Sequence, residues 1–200
     1  MRPTIEYFLV PNSPWTYLGH ARLRAIAAST GAVIEPLPFD LGGQVFPISG
    51  GLPLAKRAPQ RQAYRLVELQ RFSQHLGVAM NIQPRHFPVN ADDASRLIIA
   101  VQLADGPERA LDIACAAMRA VWAEERNIAE PATLAALLAE QGLPAQRLDD
   151  IHTPVVAQYF QANTARAIER GVFGAPSYVI GGELFWGQDQ LDFVERKLAP

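Results

Sequence analysis

The stretch Ile5-Glu6-Tyr7-Phe8-Leu9-Val10-Pro11-Asn12-Ser13-Pro14-Trp15-Thr16 decides the fold. Ile5 to Val10 is a short run of aromatic and branched residues that reads as a buried strand, and Pro11-Asn12 ends it. Ser13 is a natural helix N-cap. Pro14 suits the first helical position, where its missing N–H costs nothing. Tyr17, Leu18, Ala21, Leu23 and Ile26 then supply a helical apolar face, which Gly31 closes. Ala32 to Phe39 reads as a second strand, and Pro36 and Pro38 mark it as an exposed or irregular edge. Strand, helix and strand in this order default to a right-handed unit with parallel strands.

Outward from this unit the pattern changes. Residues 41–60 are rich in Gly and Pro and read as loop. Helical periodicity follows: Tyr64, Val67, Leu69, Phe72 and Leu76 up to Gly77, then Ala91 to Leu103, Pro107 to Glu125, and Pro131 to Gln141. The last part is mixed again. Val155 to Arg170 reads as a helix and Ala175 to Ile180 as a strand. Gly181-Gly182 reads as a tight hairpin turn, Glu183 to Trp186 as the return strand, and Gln188 to Leu198 as a final helix. This order predicts an α/β fold: a thioredoxin-like domain built from residues 1–45 and 155–200, interrupted by an all-helical insertion over residues 46–154.

Composition bounds the function. The 200 residues are 49% hydrophobic and 19% charged, enough to bury a core. A net charge of -2 argues against a nucleic-acid binder, which would show a basic face. The lone Cys115 rules out an intramolecular disulfide and fits a reducing, cytoplasmic compartment. With Leu111, Ala114, Met118 and Trp122 it shares one helix face, so it reads as a small buried hydrophobe. The N-terminal apolar stretch is too short for a signal peptide, and no run approaches membrane-spanning length, so no membrane association is expected. His20, His75, His86 and His152 lack metal-ligand spacing, and no metal is expected.

Chemistry points to Ser13. A helix N-terminus offers free N–H groups and the positive end of the macrodipole, where a thiolate is best stabilised. Redox members of this fold place Cys-x-x-Cys there. Here the positions read Ser13-Pro14-Trp15-Thr16, which excludes direct disulfide chemistry at that point. A serine hydroxyl can still donate to an external thiolate. The dipole contributes up to about 2 kcal/mol and a charge-assisted bond ~1.5–3 kcal/mol, enough to bring a thiol toward neutral pKa. The plainer alternative is that Ser13 only caps the helix. Pro176, in Gly174-Ala175-Pro176-Ser177, is expected to be cis and to face the start of the first helix, leaving the main chain of Ala175 free to pair with a peptide. The alternative is an ordinary loop proline. Asp189, near the start of the last helix, could neutralise an ammonium group or simply complement the helix dipole.

The joint order of these motifs resembles the 2-hydroxychromene-2-carboxylate isomerases, relatives of the kappa-class glutathione transferases and of the DsbA-like thioredoxin fold. The resemblance covers nearly the whole chain. It rests on Ser13-Pro14-Trp15-Thr16-Tyr17-Leu18, Arg85-His86-Phe87-Pro88-Val89-Asn90 with Ala94 and Arg96, and Ala120-Val121-Trp122-Ala123-Glu124. Gly171-Val172-Phe173-Gly174-Ala175-Pro176 and Gly182-Glu183-Leu184-Phe185-Trp186-Gly187-Gln188-Asp189 complete it. It implies glutathione as cofactor, with Ser13 against the sulfur, Ala175 before Pro176 pairing with the cysteinyl unit, and Gln188 and Asp189 at the γ-glutamyl end. The family's lysine at the start of the first inserted helix corresponds to Arg61, and its asparagine in the preceding loop to Gly51.

The activity so implied interconverts 2-hydroxychromene-2-carboxylate and trans-o-hydroxybenzylidenepyruvate, small aromatic acids. A carbon–carbon double bond must rotate, which reversible thiolate addition allows. Arg85, His86 and Asn90 are candidates for the substrate's carboxylate and phenol, with structural roles as the alternative. Lys56, Arg57, Arg61 and Arg65 form a basic cluster, either solvated surface or a mouth for anionic glutathione. A homodimer is common among such relatives. The rival readings are a transferase that conjugates glutathione to electrophiles and a non-catalytic ligand-binding module.

Overall fold

The computed structural model describes residues 2–199. Strand β1 (Thr4–Leu9) leads into helix α1 (Pro14–Thr30) and strand β2 (Val33–Pro38). A wide helical turn (Leu41–Val45), the short α2 (Phe46–Ser49) and a 3-10 turn (Leu54–Lys56) come next. Helices α3 (Pro59–Leu76), α4 (Asp92–Asp105), α5 (Pro107–Trp122), α6 (Pro131–Glu140) and α7 (Gln146–Asp150) follow. Helix α8 (Pro154–Glu169), strands β3 (Ser177–Ile180) and β4 (Glu183–Trp186), a 3-10 turn (Gln188–Gln190) and α9 (Leu191–Leu198) complete the chain. The sheet strands come from the two ends of the chain, and most of the helices lie between β2 and β3.

The sheet order is β2-β1-β3-β4. β1 runs parallel to β2, with Phe8 opposite Leu37, and antiparallel to β3, with Phe8 opposite Ser177. β3 and β4 form the expected hairpin, with both turn glycines at positive φ (58° and 87°), a conformation open to residues without Cβ. Both faces of β1 are covered. Ile5, Tyr7 and Leu9 join a core cluster shared with α1, α4, α5 and α9, while Phe8 joins a second one with Phe39, Ala167 and Val179. On that second face Glu6 accepts from Arg166 Nε (2.8 Å) and Arg170 Nε (2.9 Å), tying β1 to α8.

Several local expectations are corrected. In α1, Leu18, Leu23 and Ile26 are buried as expected, but Ala21 is exposed and Tyr17 half-buried, while Thr16, Gly19, His20 and Ala27 complete the buried face with polar and small residues that hydropathy does not count. In α3, Arg65 and Leu69 face inward and Tyr64 and Val67 outward, for the same reason. β2 is an edge strand, yet Pro36, Leu37 and Pro38 are buried because α4, α5 and α8 pack on it. The segment read as loop holds helical turns, the first opened by Asp40, whose carboxylate accepts from the Gly43 N–H at 2.7 Å. α7 was not expected, and its Arg147 holds Asp105 on α4 at 2.7 Å. Cys115 is only partly buried, and burial pushes its thiol pKa up.

Candidate active site

Ser13 caps α1: its Oγ accepts from the Thr16 N–H at 3.3 Å, and it donates to the Ala175 carbonyl at 3.3 Å. The Ala175–Pro176 bond is cis, as expected, and the Ser13 contact to Ala175 shows the segment before β3 lying against the start of α1. Both Ser13 contacts are long for hydrogen bonds of a hydroxyl. The hydroxyl proton can therefore turn toward a stronger acceptor, such as an anionic sulfur, at small cost. Thr16, at the position of the second cysteine in redox relatives, is fully buried and its Oγ1 has no partner among the described residues.

Ser13 opens onto a cavity of about 950 Å³. One side is α1 and the loop before β3, with Ser13, Trp15, Phe173, Gly174 and Ala175. Arg57, Arg61 and Arg65, the segment Phe87–Asp92 and Ser95 also line the cavity. Gly174 makes room for Trp186: a Cβ there would lie 2.2 Å from the indole Nε1. Phe173 packs on the same indole with ring centroids 4.7 Å apart. Asn12 donates to the Val89 carbonyl at 2.7 Å and ties that segment to the chain before α1, and Trp15 packs edge-on against Phe72 of α3.

The electrostatics favour an anion. The N-terminal ends of α1, α3 and α4 all border the cavity, and neither Ala58 nor Ala91, the residues before α3 and α4, provides a side-chain cap. Such ends carry partial positive charge, which in α4 is offset by Asp92 and Asp93 in its first turn, where Asn90 also takes the Asp92 N–H. Among the described residues none of Arg57, Arg61 and Arg65 forms an ion pair, although Arg57 Nε donates to the Leu52 carbonyl at 2.9 Å. Of the two aspartates in the wall, Asp40 is already engaged by Gly43 and Gln44.

The structure gathers some of the sequence-predicted residues and separates others. Ser13, Arg61, Ala175 and Asn90 line the cavity. Arg85 and His86 do not: a turn closed by the Phe87 N–H on the Pro84 carbonyl (3.2 Å) sets Phe87 against Trp122 and leaves Arg85 exposed. Asn90 is exposed, and its Oδ1 accepts from the Asp92 N–H at 2.7 Å. Gln188 is buried beside Gly19 of α1, away from the cavity, because the Gly187 N–H bonds the Pro176 carbonyl and the following turn carries Gln188 inward. Asp189 is exposed, folded back over Gly187 beside the Pro176 loop and outside the cavity wall. Gly51 is closed to any side chain by the Phe46 ring, 2.0 Å from where its Cβ would stand. From sequence Arg65 reads only as one member of the basic cluster; its packing on Phe87 and Trp122 carries no sequence signal. Arg61 and Arg65, four residues apart on α3, share one side of that helix, and Arg57 precedes it in an extended conformation.

The DSBA-like thioredoxin domain model matches residues 4–199. The chain is 27% identical over 199 residues to the 2-hydroxychromene-2-carboxylate isomerase of Sphingobium xenophagum, covering 99% of each chain. It is 28% identical over 198 residues to that of Pseudomonas putida, covering 98% of this chain and 94% of the relative. A solved 2-hydroxychromene-2-carboxylate isomerase superposes with a TM-score of 0.85 at 23% identity, over 98% of this chain and 94% of the other. The cytosolic disulfide reductase DsbM of Pseudomonas aeruginosa, solved with GSH, superposes at 0.69 with 20% identity over 98% of each chain. With a serine and a threonine where redox relatives carry cysteines, and with the family model spanning nearly all of its length, the chain belongs to the DSBA-like thioredoxin domain family.

Proposed function

We propose that this protein is a glutathione-dependent isomerase that interconverts 2-hydroxychromene-2-carboxylate and trans-o-hydroxybenzylidenepyruvate. One observation carries the reading: a serine hydroxyl, loosely held between the α1 N-terminus and the Ala175 carbonyl, opens onto a cavity walled by arginines without carboxylate partners. The names of the relatives support the reaction.

The donor set fits an anionic tripeptide thiol. Ser13 stands where its sulfur would lie, the main chain of Ala175 is beside Ser13, and Arg61 faces the same cavity. Bound glutathione would supply the nucleophile whose reversible addition to a conjugated carbon frees a double bond to rotate. Ser13 and the first turn of α1 stabilise negative charge at that point by a hydrogen bond and by the helix dipole. Asp189 is placed to interact only with groups that reach past the Pro176 loop.

The test is the absorbance change of 2-hydroxychromene-2-carboxylate with and without glutathione, with free thiol measured in parallel. The expected result is rapid equilibration only when glutathione is present, with no thiol consumed. Ser13→Ala keeps the dipole but loses the hydrogen bond, so the rate at neutral pH falls roughly 10- to 100-fold. No equilibration would remove this substrate, and one thiol consumed per turnover would make the protein a conjugating transferase.

A further inference from the structure

Arg65 is the most unusual cation in the protein. It is 8% exposed, and its Nη2 is buried with no hydrogen-bond partner among the described residues. Among the described residues no carboxylate pairs with it. Instead its guanidinium carbon lies 5.0 Å from the centre of the Phe87 ring and 5.8 Å from that of Trp122. Those rings are themselves packed 4.7 Å apart, and Trp122 is fully buried. A guanidinium held by aromatic rings is fixed in place; Arg65 also borders the cavity, and since Nη2 is sealed, its other N–H groups, which make no hydrogen bond among the described residues, are the ones a ligand there would meet.

A buried charge without a counter-charge is costly, and fold stability alone would favour an apolar side chain there. Burial, and then the neighbouring Arg57, push its pKa down to about 10, so it stays a cation at neutral pH. The other arginines of the wall, Arg57 and Arg61, add to the positive potential rather than neutralise it. Asp92 lies in the same wall without an ion pair to Arg65.

We propose that Arg65 is the carboxylate receptor of the cavity, taking the carboxylate of a small aromatic 2-oxo acid through its free N–H edge while Phe87 and Trp122 hold it in place. This rests on the isomerase reading for the identity of the acid, and it replaces Arg85 and His86 as the substrate's anion partners. A carboxylate of glutathione carries the same chemistry, so the test separates the two sources.

Isothermal titration calorimetry would compare benzylidenepyruvate with benzylideneacetone, in which a methyl group replaces the carboxylate. Both are titrated into protein saturated with S-methylglutathione, whose blocked sulfur cannot add. The wild type should prefer the acid. Arg65→Met, which keeps an unbranched apolar side chain against the two rings, should weaken the acid roughly 10- to 100-fold, leave the ketone unchanged and abolish the preference. Arg65→Lys should restore part of it, because a point charge replaces the fork.

The melting temperature of Arg65→Met should not fall, since an unpaired buried charge is removed. Equal loss of both ligands, or a lowered melting temperature with an unchanged acid preference, would make Arg65 structural and overturn the proposal. Weakened binding of glutathione titrated alone, with the acid unaffected, would assign the residue to the cofactor and overturn it as well. Failure of the isomerisation assay with the acid preference intact would remove the reaction and leave the receptor standing.

Discussion

Acid should loosen the seating of α1 through a single buried histidine. His20 is 1% exposed, with one ring nitrogen 3.1 Å from the Leu111 carbonyl and the other 3.2 Å from the Tyr7 hydroxyl. A carbonyl can only accept, so Nε2 carries the proton and Nδ1 accepts from Tyr7. The neutral ring thus satisfies α5 and β1 at once, and the cation would have to displace the Tyr7 hydroxyl proton. Burial, and then Arg24, push its pKa down to about 4 from 6.5. The unfolded chain therefore binds the extra proton between those values, so stability is full above the upper one and falls as pH drops through the window. At about 1.4 kcal/mol per unit the whole effect is about 3 kcal/mol, of which about 2 kcal/mol falls between pH 7 and pH 5. That is a large share of an ordinary domain's stability of roughly 5–15 kcal/mol. Urea unfolding of wild type and His20→Gln at both pH values measures it. The glutamine can still donate toward Leu111 but does not titrate, so every other ionisation cancels in the difference. Equal pH dependence in the two proteins would refute the assignment of a buried neutral imidazole.

Two further outcomes follow from the geometry. Gly174→Ala puts a methyl group 2.2 Å from the Trp186 nitrogen, so the indole must leave Phe173; the expected loss is about 1 kcal/mol together with red-shifted tryptophan emission, and unchanged emission would count against the packing. Burial tends to raise the Glu6 pKa, but Arg170 and Arg166 outweigh it and hold the carboxyl below its ordinary value. Its contribution is therefore present above the ordinary carboxylate pKa of 4.5 and lost as pH falls below it, and Glu6→Gln should cost about 2 kcal/mol at pH 7 in urea unfolding and flatten that acid limb.

The sequence by itself determined the order of the strands and long helices and the start of the site. The Ile5–Val10 run, the Ser13-Pro14 cap, the Gly181-Gly182 hairpin and the proline before β3 act through local backbone chemistry, which reads the same in any tertiary setting. Ser13 and Ala175 were legible together because both motifs have a fixed place in the fold. Tertiary structure alone decided which faces turned inward. Arg65 and His20 are polar, so hydropathy assigned them to no buried stripe, yet Phe87 and Trp122, 22 and 57 residues further along, receive one, and Tyr7 and Leu111 the other. Gln188 and Arg85 went the opposite way. Each follows a motif correctly placed in the chain, but the turns at Gly187 and Pro84 rotate their side chains away from the cavity. Sequence spacing fixes which residues lie near a site, while the rotation of a helix or turn, set by what packs behind it, decides which side chains reach in.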